Sequence, residues 1–321
     1  MIEETDMTKK IGKAIVRVEP GSGAIARRLD FSGLIGEFLA SQDIRAISKE
    51  VYRKGLERLL TWLATNGITQ PDRQSILNFK VFLQEAGLSA NTVNSYLIGV
   101  RRFFAFLEGL RRYPDVAKTI KGMKQPAGQL REAPTLSQAQ EILSRIDTAS
   151  LPGKRDFAMI NLMLRTGLRT CELTRANIED IRQQAGEALL FVQGKGRDSK
   201  DEFVLLTEKA LQPILTYLEA RGKTDPAAPL FVSHSDRNPG EGLTTRTVRG
   251  VSKVYFREIG LNKKQLSAHS FRHFFATQSL KAGAPLLQVQ ESMRHASIET
   301  TQRYLHNLDR IENAAERYVN F

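Results

Sequence analysis

The chain has 321 residues, with 47 Lys and Arg against 35 Asp and Glu, and a formal net charge of +12. Its 41% hydrophobic and 26% charged residues are those of a folded globular protein, and its length passes the ~250 residues at which one core stops growing, so two domains are expected. The single cysteine excludes an internal disulfide and a Cys-rich zinc site and suits a reducing compartment, while the positive charge points to a polyanion, most simply nucleic acid.

Residues 1–26 carry mixed charge and Gly21-Ser22-Gly23 without sustained periodicity, and read as a flexible extension with a short strand near 14–18. The opening Met-Ile-Glu-Glu-Thr-Asp is acidic where a signal peptide is basic, so secretion is not expected. The most apolar stretch, Phe157 to Leu164, is broken by Asn161 and falls short of the ~18 apolar residues of a membrane span. A cytoplasmic protein with no membrane partner is therefore expected.

From Asp30 the helical period sets in. Phe31, Leu34, Ile35, Phe38 and Leu39 share one face, with Asp30 or Ser32 as cap. A second helix is expected over 48–66, stopped by Asn66-Gly67, a third over 73–85 ending at Gly87, and a fourth from Ser89 or Asn91 to about Leu107. These four make an all-helical domain, with bounds 27–121. The stretch 101–131 is strongly basic, and Gly122, Pro126 and Gly128 mark 122–133 as an extended linker. That linker is either a solvated tether or a strip that follows a phosphate backbone.

The second domain, 134–321, is expected to be mainly α with a small β-sheet (α+β). Its helices are predicted at 137–146, with a Ser137…Gln140 capping box, and then at 156–165, 208–221, 244–259, 270–282, 286–293, 297–304 and 309–318. Two short strands, 188–192 and 203–206, flank a turn at Gly194-Lys195-Gly196-Arg197-Asp198.

No phosphate-binding P-loop, dinucleotide-binding glycine motif, Gly-x-Ser-x-Gly elbow or two-metal carboxylate cluster is present. His269 and His273 are spaced like zinc ligands on a helix, but Ser270 stands where a metalloprotease has Glu, and cationic Arg272 lies alongside. His269 and Arg272, three apart, suit a phosphate: a bidentate fork beside a group that moves protons near neutral pH. The alternative is two polar residues facing solvent. Arg169 opens a helix after Gly167, with Glu172 three residues on; this is either an anion site at a helix N-terminus or a surface ion pair. Lys195 sits between two glycines at a hairpin tip, either reaching a leaving oxygen or simply part of a polar hairpin, and Tyr304 follows His295 on a short helix, where amphipathic packing is the alternative reading. His273 and His306 read as packing or local hydrogen-bonding residues, His234 as part of a polar loop, and Cys171 as a small core residue rather than a redox switch.

Taken in order, Arg169, Lys195, His269-x-x-Arg272, His295 and Tyr304 resemble the tyrosine recombinase (phage integrase) family, close to its Xer branch. TGLRTCEL resembles the first-arginine box, GKGRDSKDEFVLL the lysine hairpin and its return strand, and LSAHSFRHFFATQSLKAGAPLLQVQESMRHASIETTQRYLH the second box through the nucleophile. The match is strong over 134–308 and looser over the helical domain. One departure stands out. The family often has Leu-Gly-His where this chain has Met293-Arg294-His295, which puts that turn in question.

The resemblance implies a helical core-binding (SAM-like) DNA-binding domain followed by the tyrosine-recombinase catalytic domain. It implies site-specific cleavage and rejoining of double-stranded DNA through a 3′-phosphotyrosyl link, with no cofactor, metal or ATP. Tyr304 would be the nucleophile. Arg169 and Arg272 would clamp the nonbridging oxygens, His295 would add a hydrogen bond, Lys195 would protonate the leaving 5′-oxygen, His269 would take the tyrosine proton, and Glu172 would orient its neighbours. Arg101, Arg102, Arg111, Arg112, Lys121 and Lys124 would contact DNA phosphates. Helices near 89–102 and 244–253 would read bases, as the two domains clamp the duplex. A homo-tetramer on paired sites, accessory DNA-bending factors and a nucleoid-associated location are further expectations. So is a C-terminal helix, carrying Ile311, Ala314, Ala315, Tyr318 and Val319, docked on a neighbouring protomer. The biological setting would be integration or excision of a mobile element, or dimer resolution. The alternatives are a non-cleaving DNA-binding protein on the same scaffold and a type IB topoisomerase-like relaxase.

Overall fold

A computed structural model describes residues 15–17, 28–124, 132–194, 197–222, 225–304 and 319. The chain divides into two compact units, Met1–Ala127 and Gly128–Phe321. The expected helix at 309–318 and the bulk of the expected linker lie outside the described residues, as do Lys195 and His306. No described helix is long and apolar enough to cross a membrane.

In the first unit a short antiparallel pair, β1 (Ile15–Arg17) and β2 (Arg28–Asp30), precedes four helices: α1 (Phe31–Ser41), α2 (Ala46–Thr65), α3 (Arg73–Glu85) and α4 (Ala90–Gly109). The apolar stripe of each helix meets in one core, with Phe38, Leu56, Phe79, Leu97 and Phe104 among its buried members. Asp72 caps α3 reciprocally with Ser75, and Ser89 caps α4 by accepting from the Thr92 N–H. Helices α2 and α4 pack closely through two crossed pairs. A Cβ on Gly55 would come within 3.0 Å of the Tyr96 Cα, and one on Gly99 within 3.1 Å of the Tyr52 Cα. Glycine at both positions is what lets the two backbones approach.

The second unit begins with α5 (Leu136–Arg145), α6 (Leu151–Thr166) and α7 (Thr170–Arg175). The α5 cap is Thr135 with Gln138, two residues before the expected Ser137 with Gln140. Likewise α6 starts at Leu151 rather than at Asp156. Ser150 accepts from the Gly153 N–H, and Pro152 in the first turn suits a helix start. Helix α6 is buried on nearly every side, with a buried Arg155–Asp156 ion pair among its apolar residues, and packs within the unit's core.

A 3-10 turn (Ile178–Asp180) leads into an antiparallel sheet of three strands in sequential order, β3 (Ile181–Gln184), β4 (Glu187–Val192) and β5 (Glu202–Leu205). Only β4 and β5 were expected. β3, Ile-Arg-Gln-Gln, carries one apolar residue and three exposed polar ones, so it has no alternation to read; pairing with β4 makes it a strand. Helices α8 (Glu208–Arg221), α9 (Thr245–Glu258), α10 (Ala268–Lys281) and α11 (Leu286–Met293) complete the named elements, and residues 298–304 are helical. The fold class is the expected one, mainly helical with a small sheet.

Candidate active site

The site assembles around the end of α6. Gly167 takes the left-handed conformation there (φ 63°), and a Cβ on it would fall 2.6 Å from the Phe275 ring and 2.9 Å from the Met293 sulfur. The turn aims the Gly167 carbonyl at Arg272 and places Arg169 at the start of α7.

Glu172, fully buried on the first turn of α7, organises this corner. It accepts from the Arg169 backbone N–H at 2.8 Å and from the Arg169 guanidinium at 2.6 Å. It also accepts from Arg294 Nη2 at 2.7 Å. Burial alone would raise the Glu172 pKa, but the Arg294 and Arg169 guanidinium groups and the Arg169 N–H outweigh it, and the carboxyl titrates below its ordinary value.

Arg272, on α10, is 1% exposed. It donates to the Gly167 carbonyl at 2.6 Å and to the Met293 carbonyl. Burial, then Arg169 and Arg294, press its pKa below the usual arginine value, to about 9, which leaves it charged at neutral pH. Arg169 in turn donates to the Arg294 carbonyl at 2.8 Å. Two successive carbonyls of one turn, 293 and 294, therefore hold the two arginines of the two sequence boxes.

That turn is the segment the sequence left in question. Arg294 ends α11 in the left-handed region (φ 53°, ψ 49°), the conformation a glycine would take most easily. A non-glycine residue there costs roughly 1–2 kcal/mol. The 294 and 295 N–H groups close the helix end on the Glu291 and Gln290 carbonyls.

His295 follows, with Nδ1 2.9 Å from the Thr301 hydroxyl. Burial first, and then Arg272, Arg169, Arg294 and His273, push its pKa down to about 4, so it is neutral at physiological pH. Tyr304 is 4% exposed and packs with Ala276, Val289 and Met293. Its ring lies 6.3 Å from the His295 ring, nearly parallel, and 5.1 Å from the His273 ring. Burial raises the Tyr304 pKa, while Arg272 and Arg169 pull it back. Exposed His269 reaches the group through His273, at a ring separation of 4.9 Å.

The structure thus brings Arg169, Glu172, Arg272, His295 and Tyr304 together, with His269 one ring further out. Lys195 is outside the described residues; its flanking strands are paired Val192 to Glu202. A cleft of about 1000 Å³ is lined by Arg169, Arg294 and His295 and by Gly194, Arg197 and Glu202 from either end of that hairpin. Sequence reading assigned His273 to packing or local hydrogen bonding; its ring packs against Tyr304, a partner the sequence did not name. That reading also missed the pairing of Arg294 with Glu172, because a left-handed arginine leaves no mark in a sequence.

The basic residues of the first unit divide. Arg101 is half-buried and donates to the Leu97 and Ile120 carbonyls of its own unit, and Arg112 is paired with Glu37 at 2.9 Å. Arg102, which lies over the Tyr52 ring, and Arg111, Lys121 and Lys124 are exposed.

Arg169, Arg272 and Arg294 surround the single carboxylate of Glu172 in a largely buried corner beside the Tyr304 phenol, with Glu202 3.9 Å from Arg294. Comparison with known proteins gives the family. The phage integrase family profile matches residues 135–310, and the phage integrase N-terminal SAM-like domain matches 37–109. The chain belongs to the phage integrase family. It is 32% identical over 288 residues to tyrosine recombinase XerD of Listeria innocua, covering 85% of this chain and 93% of that one. It is 30% identical to XerC of Pelobacter propionicus, over 75% of this chain and 94% of the relative. Among solved structures, the XerH recombinase bound to a palindromic difH substrate, a post-cleavage complex, superposes with a TM-score of 0.71 at 23% identity, covering 89% of this chain and 84% of that one. A λ integrase dimer bound to a core site gives 0.63 at 14% identity, over 85% and 94%. The fold is that of these enzymes, and with its family and relatives the protein is a site-specific recombinase of the tyrosine type.

Proposed function

We propose that this recombinase cuts and reseals double-stranded DNA at specific sites, with Tyr304 as nucleophile. The Tyr304 oxygen attacks a backbone phosphorus, the bond to the 5′-oxygen breaks, and a 3′-phosphotyrosyl link holds the strand. A 5′-hydroxyl from the partner strand then attacks the same phosphorus and frees the tyrosine. The covalent link conserves the phosphodiester, so no nucleotide or metal is required. The observation that supports this reading is the gathering of Arg169, Arg272 and Arg294 around one carboxylate, Glu172, beside Tyr304. A phosphoryl transition state is an anion that such a group of cations would stabilise.

In this scheme Arg169 and Arg272 hold the nonbridging oxygens with donors left over from their carbonyl bonds. Neutral His295 adds a hydrogen bond. Lys195 gives its proton to the leaving 5′-oxygen, and His269, relayed by His273, receives the tyrosine proton. Glu172 orients Arg169. Arg102, Arg111, Lys121 and Lys124 contact phosphates from the first unit, and helices of both units read bases. A homo-tetramer pairs two sites, with the segment 309–321 contacting a neighbouring copy and with accessory DNA-bending factors. Its setting is a mobile element's integration or excision, or dimer resolution, in the nucleoid.

The test is covalent capture. A nicked duplex that loses its 5′-hydroxyl fragment after cleavage should trap the wild type and leave Tyr304→Phe uncaptured. Equal capture of both would refute the assignment.

A further inference from the structure

The departure at position 294 is more than a tolerated substitution. The Arg294 side chain is 4% exposed and lies against both oxygens of Glu172, with Nη2 at 2.7 Å and Nε at 3.4 Å. Its Nη1 donates to the Ser292 carbonyl at 2.6 Å, and its Nε lies 3.9 Å from Glu202 on β5. Its own carbonyl accepts from Arg169. The residue therefore joins the first-arginine segment, the turn before His295 and the return strand of the lysine hairpin.

We propose that Arg294 is a positioning residue for strand cleavage, taking one edge of the Glu172 carboxylate so that Arg169 meets the scissile phosphate as an unneutralised cation. The inference rests on the function proposed above. With Glu172 facing Arg169 alone, the two would form a closed neutral pair, and Arg272 would be left as the single uncompensated cation. With Arg294 present, the three guanidinium groups and Glu172 sum to two positive charges, with Glu202 at the edge, shared with Arg197. That number matches the two negative charges of a phenolate attacking a phosphodiester. A carboxylate shared between two guanidinium groups still holds Arg169 in place without cancelling it. The left-handed backbone is the cost of putting this side chain there, since it aims the 294 carbonyl at Arg169 while the side chain returns to Glu172.

The experiment uses the full chain and the duplex that the wild type itself selects from random sequence by covalent capture, nicked to trap the product. Arg294→Gly suits the left-handed turn and is expected to fold. It should bind the duplex as the wild type does, yet form the covalent product at least roughly tenfold more slowly, since it weakens one of the charged groups on the phosphate. Arg294→Lys, which keeps the charge but not the fork, should retain most of the rate. Adding Glu172→Gln to Arg294→Gly restores two positive charges and should recover most of the loss. A merely structural role for Arg294 predicts the opposite, a further loss in the double variant.

A second readout needs no DNA. His295 is faced by Arg272, Arg169, Arg294 and His273, with Thr301 at its Nδ1 and the Tyr304 ring alongside. Its imidazole titration, followed by NMR, should move up from near 4 in Arg294→Gly and stay low in Arg294→Lys. Wild-type rates in Arg294→Gly, or no recovery in the double variant, would overturn the proposal. Capture by a Tyr304→Phe chain would instead overturn the function on which it rests.

Discussion

Phe103 in the first unit and Arg272 in the second are each 1% exposed, and they are held in place by opposite chemistry. Phe103 sits among Phe31, Phe38 and Phe104, ring against ring, and any of several apolar side chains of similar volume would fill its space. Arg272 is fixed by two carbonyls and repelled by two neighbouring arginines. The helical bundle is stabilised by what it buries. The arginine corner brings like charges together under burial, a cost that the fold carries. The first unit is a packed bundle with exposed basic side chains, and the second gathers like charges beside Tyr304.

The largest effect separates the two most sharply. Arg272→Ala should lower the rate of covalent product formation by about a thousandfold, roughly 4 kcal/mol of barrier, with DNA affinity little changed in a filter-binding assay. Next, Glu172→Gln leaves three guanidinium groups around a neutral amide and should reduce stability by about 3 kcal/mol in denaturant titration, with partial recovery in high sulfate. The sign with pH follows from the lowered native pKa of Glu172. The carboxylate's contribution is complete above the ordinary carboxylate range, near 4.3, and disappears as pH falls through the lower native value. The deficit of Glu172→Gln should therefore narrow in acid.

How much of this was readable differs between the units for the same reason. A helix in the bundle declares itself through repeated apolar positions and glycine stops, so α3, and likewise α8 and α11 in the second unit, fall at the expected residues. The candidate site residues of the second unit were picked out by the order of the boxes they resemble, and the structure places Arg169, Glu172, Arg272, His295 and Tyr304 close to one another. What stayed hidden depends on tertiary partners. β3 is a strand only because β4 pairs with it. Arg101 turns inward because the Leu97 and Ile120 carbonyls are there to receive it, and Arg294 returns to Glu172 from 122 residues away.

Smaller effects sharpen the contrast from the other side. Leu97→Ala, at a fully buried position of the bundle, should reduce stability by about 2–5 kcal/mol without response to sulfate. Arg112→Ala breaks a half-exposed pair with Glu37 and should shift stability by less than about 1 kcal/mol in the same titration.

The most direct test of the gathered charge changes the DNA rather than the protein. Replacing the scissile phosphate with a neutral methylphosphonate removes the negative charge that Arg169 and Arg272 are held to meet. Arg272→Ala should then cleave far faster on methylphosphonate than on the normal phosphate. If the variant stays equally inactive on both, the guanidinium groups do not serve to neutralise the reacting phosphate.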